Sequence, residues 1–253
     1  MANPLKNRIN HSGKYKNILI GVSLLGLGYF WGGLTVHKQI FPYEQIILAK
    51  KLLTNKHVDD SKLQTNPNWP ERREQFELFG RQADVVMIGD SITHAGHWDD
   101  IFPSTKIANR GIARDRTDDI IKRIDAIISV QPKKAFLMVG INDLNWGRSV
   151  DEIFNDYKKI VTTLQNNKIQ VFIQSTLECR KKDCKNKLEK VRDLNKKLQI
   201  YATQQHLIYI NINEGLTSEK EGLLSEYTYD GIHLRGIGYE KWSKTIAPYI
   251  FSL

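Results

Sequence analysis

Ser91, His233 and Asp230 are the residue types that nucleophilic acyl chemistry requires. A serine hydroxyl attacks an ester only when a base takes its proton, and histidine titrates near neutral pH. A carboxylate beside the imidazole fixes the tautomer and stabilises the imidazolium. Asp230 stands three residues before His233, so one short loop can supply both. The tetrahedral oxyanion needs preorganised donors, and the Ser91 N–H, the Gly111 N–H and the Asn142 carboxamide can provide them. Glycine at 111 lets backbone approach a substrate closely. Taken alone, Ser91 reads equally well as a helix cap; the companion residues decide between the two.

Ser91, Gly111 and Asn142 each follow a short strand-like segment, and Asp230 and His233 stand before the last helix. Val85, Val86, Met87 and Ile88 form a short run, rich in β-branched residues, that suits a strand buried on both faces. Gly89, Asp90, Ser91 and Thr93 follow it. Residues 106–109 read as a second strand before Asn109, Arg110, Gly111 and Ile112. Residues 134–139 are a third, before Gly140, Ile141, Asn142 and Asp143. Strands are also expected at 169–173 and 207–212. Helical spacing runs over 69–82, 115–130, 150–166, 184–204 and 238–251, with Pro70 in a first turn. Strands alternating with helices predict an α/β domain over 69–253, a five-stranded parallel sheet with helices on both faces. The polar groups then meet at the carboxyl ends of the strands, where open α/β sheets bind ligands.

The four blocks GDSIT, NRGI, GIND and DGIHL, in this order and spacing, resemble the signature blocks of the SGNH (GDSL-type) hydrolases. The runs FPSTKIANRGIARDRTDDIIKRID and PKKAFLMVGINDL are similar to a bacterial branch near the platelet-activating-factor acetylhydrolase subunits. The resemblance implies a flavodoxin-like three-layer α/β/α sandwich and ester hydrolysis through an acyl-enzyme, with no metal and no cofactor. It implies Ser91 as nucleophile, His233 as base and Asp230 as the acid orienting it. Gly111 and Asn142 would complete the oxyanion hole with the Ser91 amide.

Other residues carry weaker signals. Asp90 is expected to stabilise the turns around the nucleophile or to stand, like His94, in the pocket wall. Trp98, Trp146 and Arg148 follow signature blocks and can line the pocket, with core packing or solvent exposure as the alternatives. His94 and His97, with Asp90 and Asp99 near, have spacing that permits a metal, but a serine nucleophile in the same segment needs none. Asp143 is read as structural. Cys179 and Cys184 are the only cysteines and can close a local disulfide if the domain is exported.

The net charge of +9 is concentrated in two segments. Residues 1–17 carry four cations and no acid; residues 179–197 carry nine cations against three acids, which leaves the remainder at −1. A nucleic-acid-binding domain is therefore not indicated. Residues 18–36 are nineteen residues without a formal charge, about the length of a membrane-spanning helix. The preceding cations predict a cytoplasmic N-terminus and an extracytoplasmic catalytic domain, periplasmic or at the cell surface. No A-x-A-like cleavage site follows the run, which favours an anchor over a signal peptide and secretion; 37–68 then reads as a linker.

These features together predict a membrane-anchored serine esterase that removes a short acyl group, acetyl foremost, from a carbohydrate or lipid. The alternatives are an O-acyltransferase to a glycan using the same three residues, a lysophospholipase or thioesterase, and a non-catalytic glycan-binding module.

Overall fold

The structure is a computed structural model that describes residues 69–184 and 186–251. The expected anchor at 18–36 and linker at 37–68 lie outside the described residues. Among the described residues, no helix is long and apolar enough to cross a membrane.

Five parallel strands form one sheet: β1 (Val85–Gly89), β2 (Ile107–Gly111), β3 (Lys134–Met138), β4 (Gln170–Gln174) and β5 (Ile208–Ile210), in the order β2-β1-β3-β4-β5. This is the flavodoxin-like order, in which the chain leaves β1 for β2 on one side and returns to β3 on the other. The register sets Gly89 opposite both Gly111 and Met138, so the blocks after β1, β2 and β3 emerge side by side. Every residue of β1 is buried, as its unalternating apolar run predicts.

Among the described residues, ten helices connect and cover these strands. The first five are α1 (Trp69–Leu78), α2 (Ser91–His94), α3 (Trp98–Ile101), α4 (Thr117–Lys122) and α5 (Ile124–Ile128). The other five are α6 (Ile141–Asn145), α7 (Val150–Asn166), α8 (Lys181–Cys184), α9 (Lys187–Gln204) and α10 (Gly236–Phe251). Helix α7 starts with a capping box between Ser149 and Glu152 and buries Ile153, Tyr157, Ile160, Val161 and Leu164, the stripe read from the sequence. It packs with α9 against β4 and β5. On the sheet face bearing Phe136 and Phe172, which stack with centroids 4.6 Å apart, α10 contributes Tyr249 and Trp242.

Three local differences from the expected elements have physical causes. The helix expected over 115–130 is interrupted at Arg123, whose guanidinium is drawn fully into the core to meet Asp115 and two strand-end carbonyls. The helix expected from 184 begins at Lys187, because the preceding cysteines are joined in a disulfide that closes a separate short turn, α8. A small antiparallel pair, β6 (Thr217–Ser218) with β7 (Gly222–Leu223), stands where the sequence shows no alternating run.

The end of β3 is held by side chains. The Tyr157 hydroxyl donates to Val139 O at 2.8 Å and accepts from Val139 N–H at 3.0 Å, and the Thr176 hydroxyl donates to Val139 O at 2.6 Å. In Tyr157→Phe the fully buried Val139 N–H loses its acceptor. Equilibrium urea unfolding should show a loss of about 1–3 kcal/mol, and an unchanged midpoint would mean that this bond does not support the turn leading to Asn142.

Candidate active site

Ser91 begins α2 directly beyond β1. The Asp90 carboxylate accepts the Ile92 N–H at 3.0 Å and so caps the helix that Ser91 opens. The Ser91 N–H lies in the first helical turn, where backbone donors have no intrahelical acceptor. The Ser91 hydroxyl is 2.9 Å from His233 Nε2, across 142 residues of sequence. Both readings of Ser91 therefore separate physically: Asp90 is the cap, and the serine side chain points to the imidazole.

His233 Nδ1 is 2.6 Å from Asp230 Oδ2. The other carboxylate oxygen of Asp230 accepts the backbone N–H groups of Ile232, at 2.9 Å, and His233, at 2.8 Å. Burial opposes ionisation of Asp230. The hydrogen bonds from His233 and Ile232, with the attraction of a charged imidazole, outweigh it and hold the carboxyl below its ordinary range. The loop is also closed on itself by Thr228, whose hydroxyl donates to His233 O at 2.7 Å and accepts from Gly231 N–H at 2.9 Å. Tyr229 stacks on the His233 ring, centroids 5.8 Å apart and planes 12° apart, yet is 69% exposed.

The donors on the other side of Ser91 are partly engaged. Asn142 Nδ2 donates to Asp115 O at 3.0 Å, which leaves the second amide hydrogen. The Gly111 N–H donates to Asn109 Oδ1 at 2.9 Å. Asn109 Nδ2 in turn reaches the carbonyls of Thr93, His94 and Gly96, binding the end of α2 to β2. The requirement for glycine at 111 comes from this packing: a Cβ there would sit 2.3 Å from His94 N. Close approach is needed to α2. Asn109 is a site residue whose place the sequence signals only by its position two residues before Gly111.

Several residues expected in the pocket wall are elsewhere. Asp90 is fully buried, and its second carboxylate oxygen has no hydrogen-bond partner. Burial, with some repulsion from Asp115 and Asp143, pushes it up to about 7. Trp98 is 1% exposed; its indole N–H donates to Thr93 O and its ring packs edge-on against Trp242, so it supports α2 from the core. Arg148 pairs with Asp143 at 2.6 Å and Asp156 at 2.5 Å and touches the Thr117 hydroxyl, which makes it a strut. Asp143 is buried in that strut, as its structural reading implies. His94 Nδ1 lies 3.1 Å from Gly111 O, while His97 faces Asp100 in solvent. No group of three metal-ligating side chains converges among the described residues. Trp146 is exposed beneath the Arg116 guanidinium. Cys179 and Cys184 form a disulfide.

Residues 87–241, which contain all four blocks, match the GDSL-like lipase/acylhydrolase family. Among curated proteins, the chain is 26% identical over 157 residues to an N-acylneuraminate cytidylyltransferase of Streptococcus agalactiae serotype V, covering 62% of this chain and 36% of that protein. The chain thus spans about a third of those relatives' length. It is 25% identical over 188 residues to the platelet-activating factor acetylhydrolase IB subunit alpha1 of Homo sapiens, covering 70% of this chain and 80% of that one. A GDSL-like lipase from Bacteroides thetaiotaomicron shares the fold with a TM-score of 0.64 at 22% identity, over 72% of this chain and 97% of that structure. With the strand order, the four blocks and the family match in agreement, the chain belongs to the GDSL-like lipase/acylhydrolase family.

Proposed function

We propose that the domain is a serine esterase that removes a short acyl group, acetyl foremost, from a carbohydrate or lipid. The observation that carries this reading is the chain of contacts Ser91 Oγ to His233 Nε2 to Asp230, at 2.9 and 2.6 Å. In the reaction, His233 takes the hydroxyl proton as Ser91 Oγ bonds to the acyl carbon. The same proton then goes to the leaving alkoxide as the ester C–O bond breaks. Water attacks the acyl-enzyme in the reverse sense, His233 again accepting the proton, and a carboxylic acid leaves with Ser91 restored. Asp230, ionised and held by two backbone N–H groups, keeps Nε2 facing the serine. The Ser91 N–H and the second amide hydrogen of Asn142 face the developing oxyanion; Gly111 joins them if its N–H is shared with Asn109.

The acetyl preference draws on the likeness to an acetylhydrolase subunit, and the carbohydrate class on the likeness to part of an enzyme named for a sugar substrate. For placement in the cell, we propose an extracytoplasmic domain anchored by residues 18–36, supported by the uncharged run and by the disulfide between Cys179 and Cys184.

A fluorophosphonate probe should label wild type at Ser91 and leave Ser91→Ala unlabelled; a folded wild type that resists the probe removes the esterase reading. Asn142→Ala should lower kcat on a chromogenic acetate ester by about 100- to 1,000-fold, the usual effect of losing one oxyanion donor, and a loss in KM alone would assign Asn142 to ground-state binding instead.

Followed from about pH 8 down to about pH 5, the rate should fall, because a protonated imidazole cannot accept the serine proton. Asp230 stays ionised across that window, its carboxyl being held below the ordinary range. Asp90, pushed up to about 7, titrates within it. The acidic limb should therefore persist in Asp90→Asn, and its disappearance there would assign the limb to Asp90.

A further inference from the structure

The loop carrying Asp230 and His233 lies outside the sheet and is exposed, with Asp230 40% and His233 29% accessible at the side chain. Its internal hydrogen bonds shape it but do not set its place relative to Ser91. That place is set in part by a segment outside the four signature blocks. The Arg180 N–H donates to Gly231 O at 2.7 Å, at the residue next to Asp230. Gly231 has φ +88°, and a Cβ built on it would lie 2.3 Å from Asp183 Oδ2, so the Asp183 side chain rests directly on this glycine. Asp183 is oriented by a charge-assisted bond from Arg180, whose guanidinium also reaches the Ser225 hydroxyl at 3.0 Å.

Arg180 and Asp183 stand between Cys179 and Cys184, which are buried and joined. The closed turn is seated on its other side. Lys181 N–H donates to Glu221 O at 2.8 Å, Leu223 N–H reaches Cys179 O, and Arg180 pairs with Gly222 in an isolated bridge. The cross-link fixes the distance between a seat on β7 and a contact on Gly231.

We propose that the disulfide-closed turn 179–184 is a clasp that holds the acid–base loop in line with Ser91, which makes Cys179, Cys184 and Asp183 positioning residues for ester hydrolysis. The proposal rests on the esterase reading above. Opening the clasp frees Gly231 O and the Cα surface of Gly231, and the loop then spends less time with His233 within reach of the serine hydroxyl. The chemical step slows while substrate binding is little changed.

The test compares wild type with Cys179→Ser/Cys184→Ser and with Asp183→Ala, which keeps the disulfide. Hydrolysis of p-nitrophenyl acetate and the rate of fluorophosphonate labelling at Ser91 are measured at a temperature where circular dichroism shows each protein folded. The double variant should lose about 10- to 100-fold in kcat with KM within about twofold, the range that small misplacement of a reacting group produces. Labelling should slow by a similar factor, and Asp183→Ala should lose roughly 3- to 10-fold in both. If kcat and labelling are unchanged and only the melting temperature falls, the bridge is a stabilising cross-link and the clasp is wrong. Should the double variant fail to fold, Asp183→Ala decides alone: wild-type kcat in that variant overturns the proposal. A wild type silent in both assays removes the esterase reading and the clasp with it, whereas an active wild type with equally active variants removes the clasp only.

Discussion

The site depends on a guanidinium with no access to solvent. Arg123 Nε donates to Asp115 at 2.7 Å, and its Nη2 donates to Arg110 O at 2.8 Å and Gly89 O at 3.3 Å. Gly89 and Arg110 lie at the carboxyl ends of β1 and β2, and Arg123 serves the Arg110 carbonyl and joins the Ile112 N–H on the Gly89 carbonyl. By serving both, Arg123 ties together the two strand ends from which Ser91 and Gly111 leave. The arrangement has a desolvation cost. Burial pushes Asp115 up to about 7 even though Arg123 opposes that rise, and Asp115 Oδ1 and Arg123 Nη1 are buried without partners. A buried pair of this kind contributes little net stability. Its value here is geometric, and it explains why the helix that carries Arg123 is broken at that residue.

A second strut repeats the principle on the other side of β1. Asp143 follows Asn142 and is raised to about 6 by burial, against bonds from Thr117 and Arg148. Arg148 joins it to Asp156 on α7. Asn142 itself is anchored through Asp115 O, the backbone of the residue that Arg123 holds. The two struts share a neighbourhood, so the segments bearing Ser91, Gly111 and Asn142 are tied to the sheet through adjoining buried contacts.

Much of this was legible in the residues, and the failures are informative. Apolar runs located β1, β3 and β4, because a strand inside the sheet and covered on both faces has no polar alternation to confuse it, whereas the edge strand β2 was marked only by Ile107 and Ala108 before the NRGI block. That Ser91, His233 and Asp230 should meet was legible as well, since a serine, an imidazole and a carboxylate are the few side chains that nucleophilic acyl chemistry admits. For Trp98 and Arg148 the sequence leaves pocket wall, core and solvent open, because adjacency to a signature block says nothing about which way a side chain turns. Trp98 turns inward to Trp242, and Arg148 turns to three carboxylates. Arg123 was invisible for the same reason: one more cation in a helical pattern reads as solvated surface. Contacts such as Asn109 with Gly111, or Asp183 with Gly231, are set by tertiary packing, and no spacing rule in the sequence encodes them.

The two halves of the site are therefore held to different standards of rigidity. Ser91, Gly111 and Asn142 stand on strand ends locked by buried ions, whereas Asp230 and His233 stand on a self-bonded surface loop. The Gly111 amide sharpens the contrast. Electrostatic catalysis is strongest when donors already point at the incipient charge, yet this N–H is satisfied by Asn109 Oδ1 in the resting protein. Recruiting it for an oxyanion means sharing or releasing a bond of ordinary length, while the Ser91 N–H and the second Asn142 hydrogen carry no such demand. The proposed oxyanion pocket accordingly rests on two ready donors and one conditional donor. Asn109, by holding both Gly111 and the end of α2, is the residue that sets how readily the third is given up.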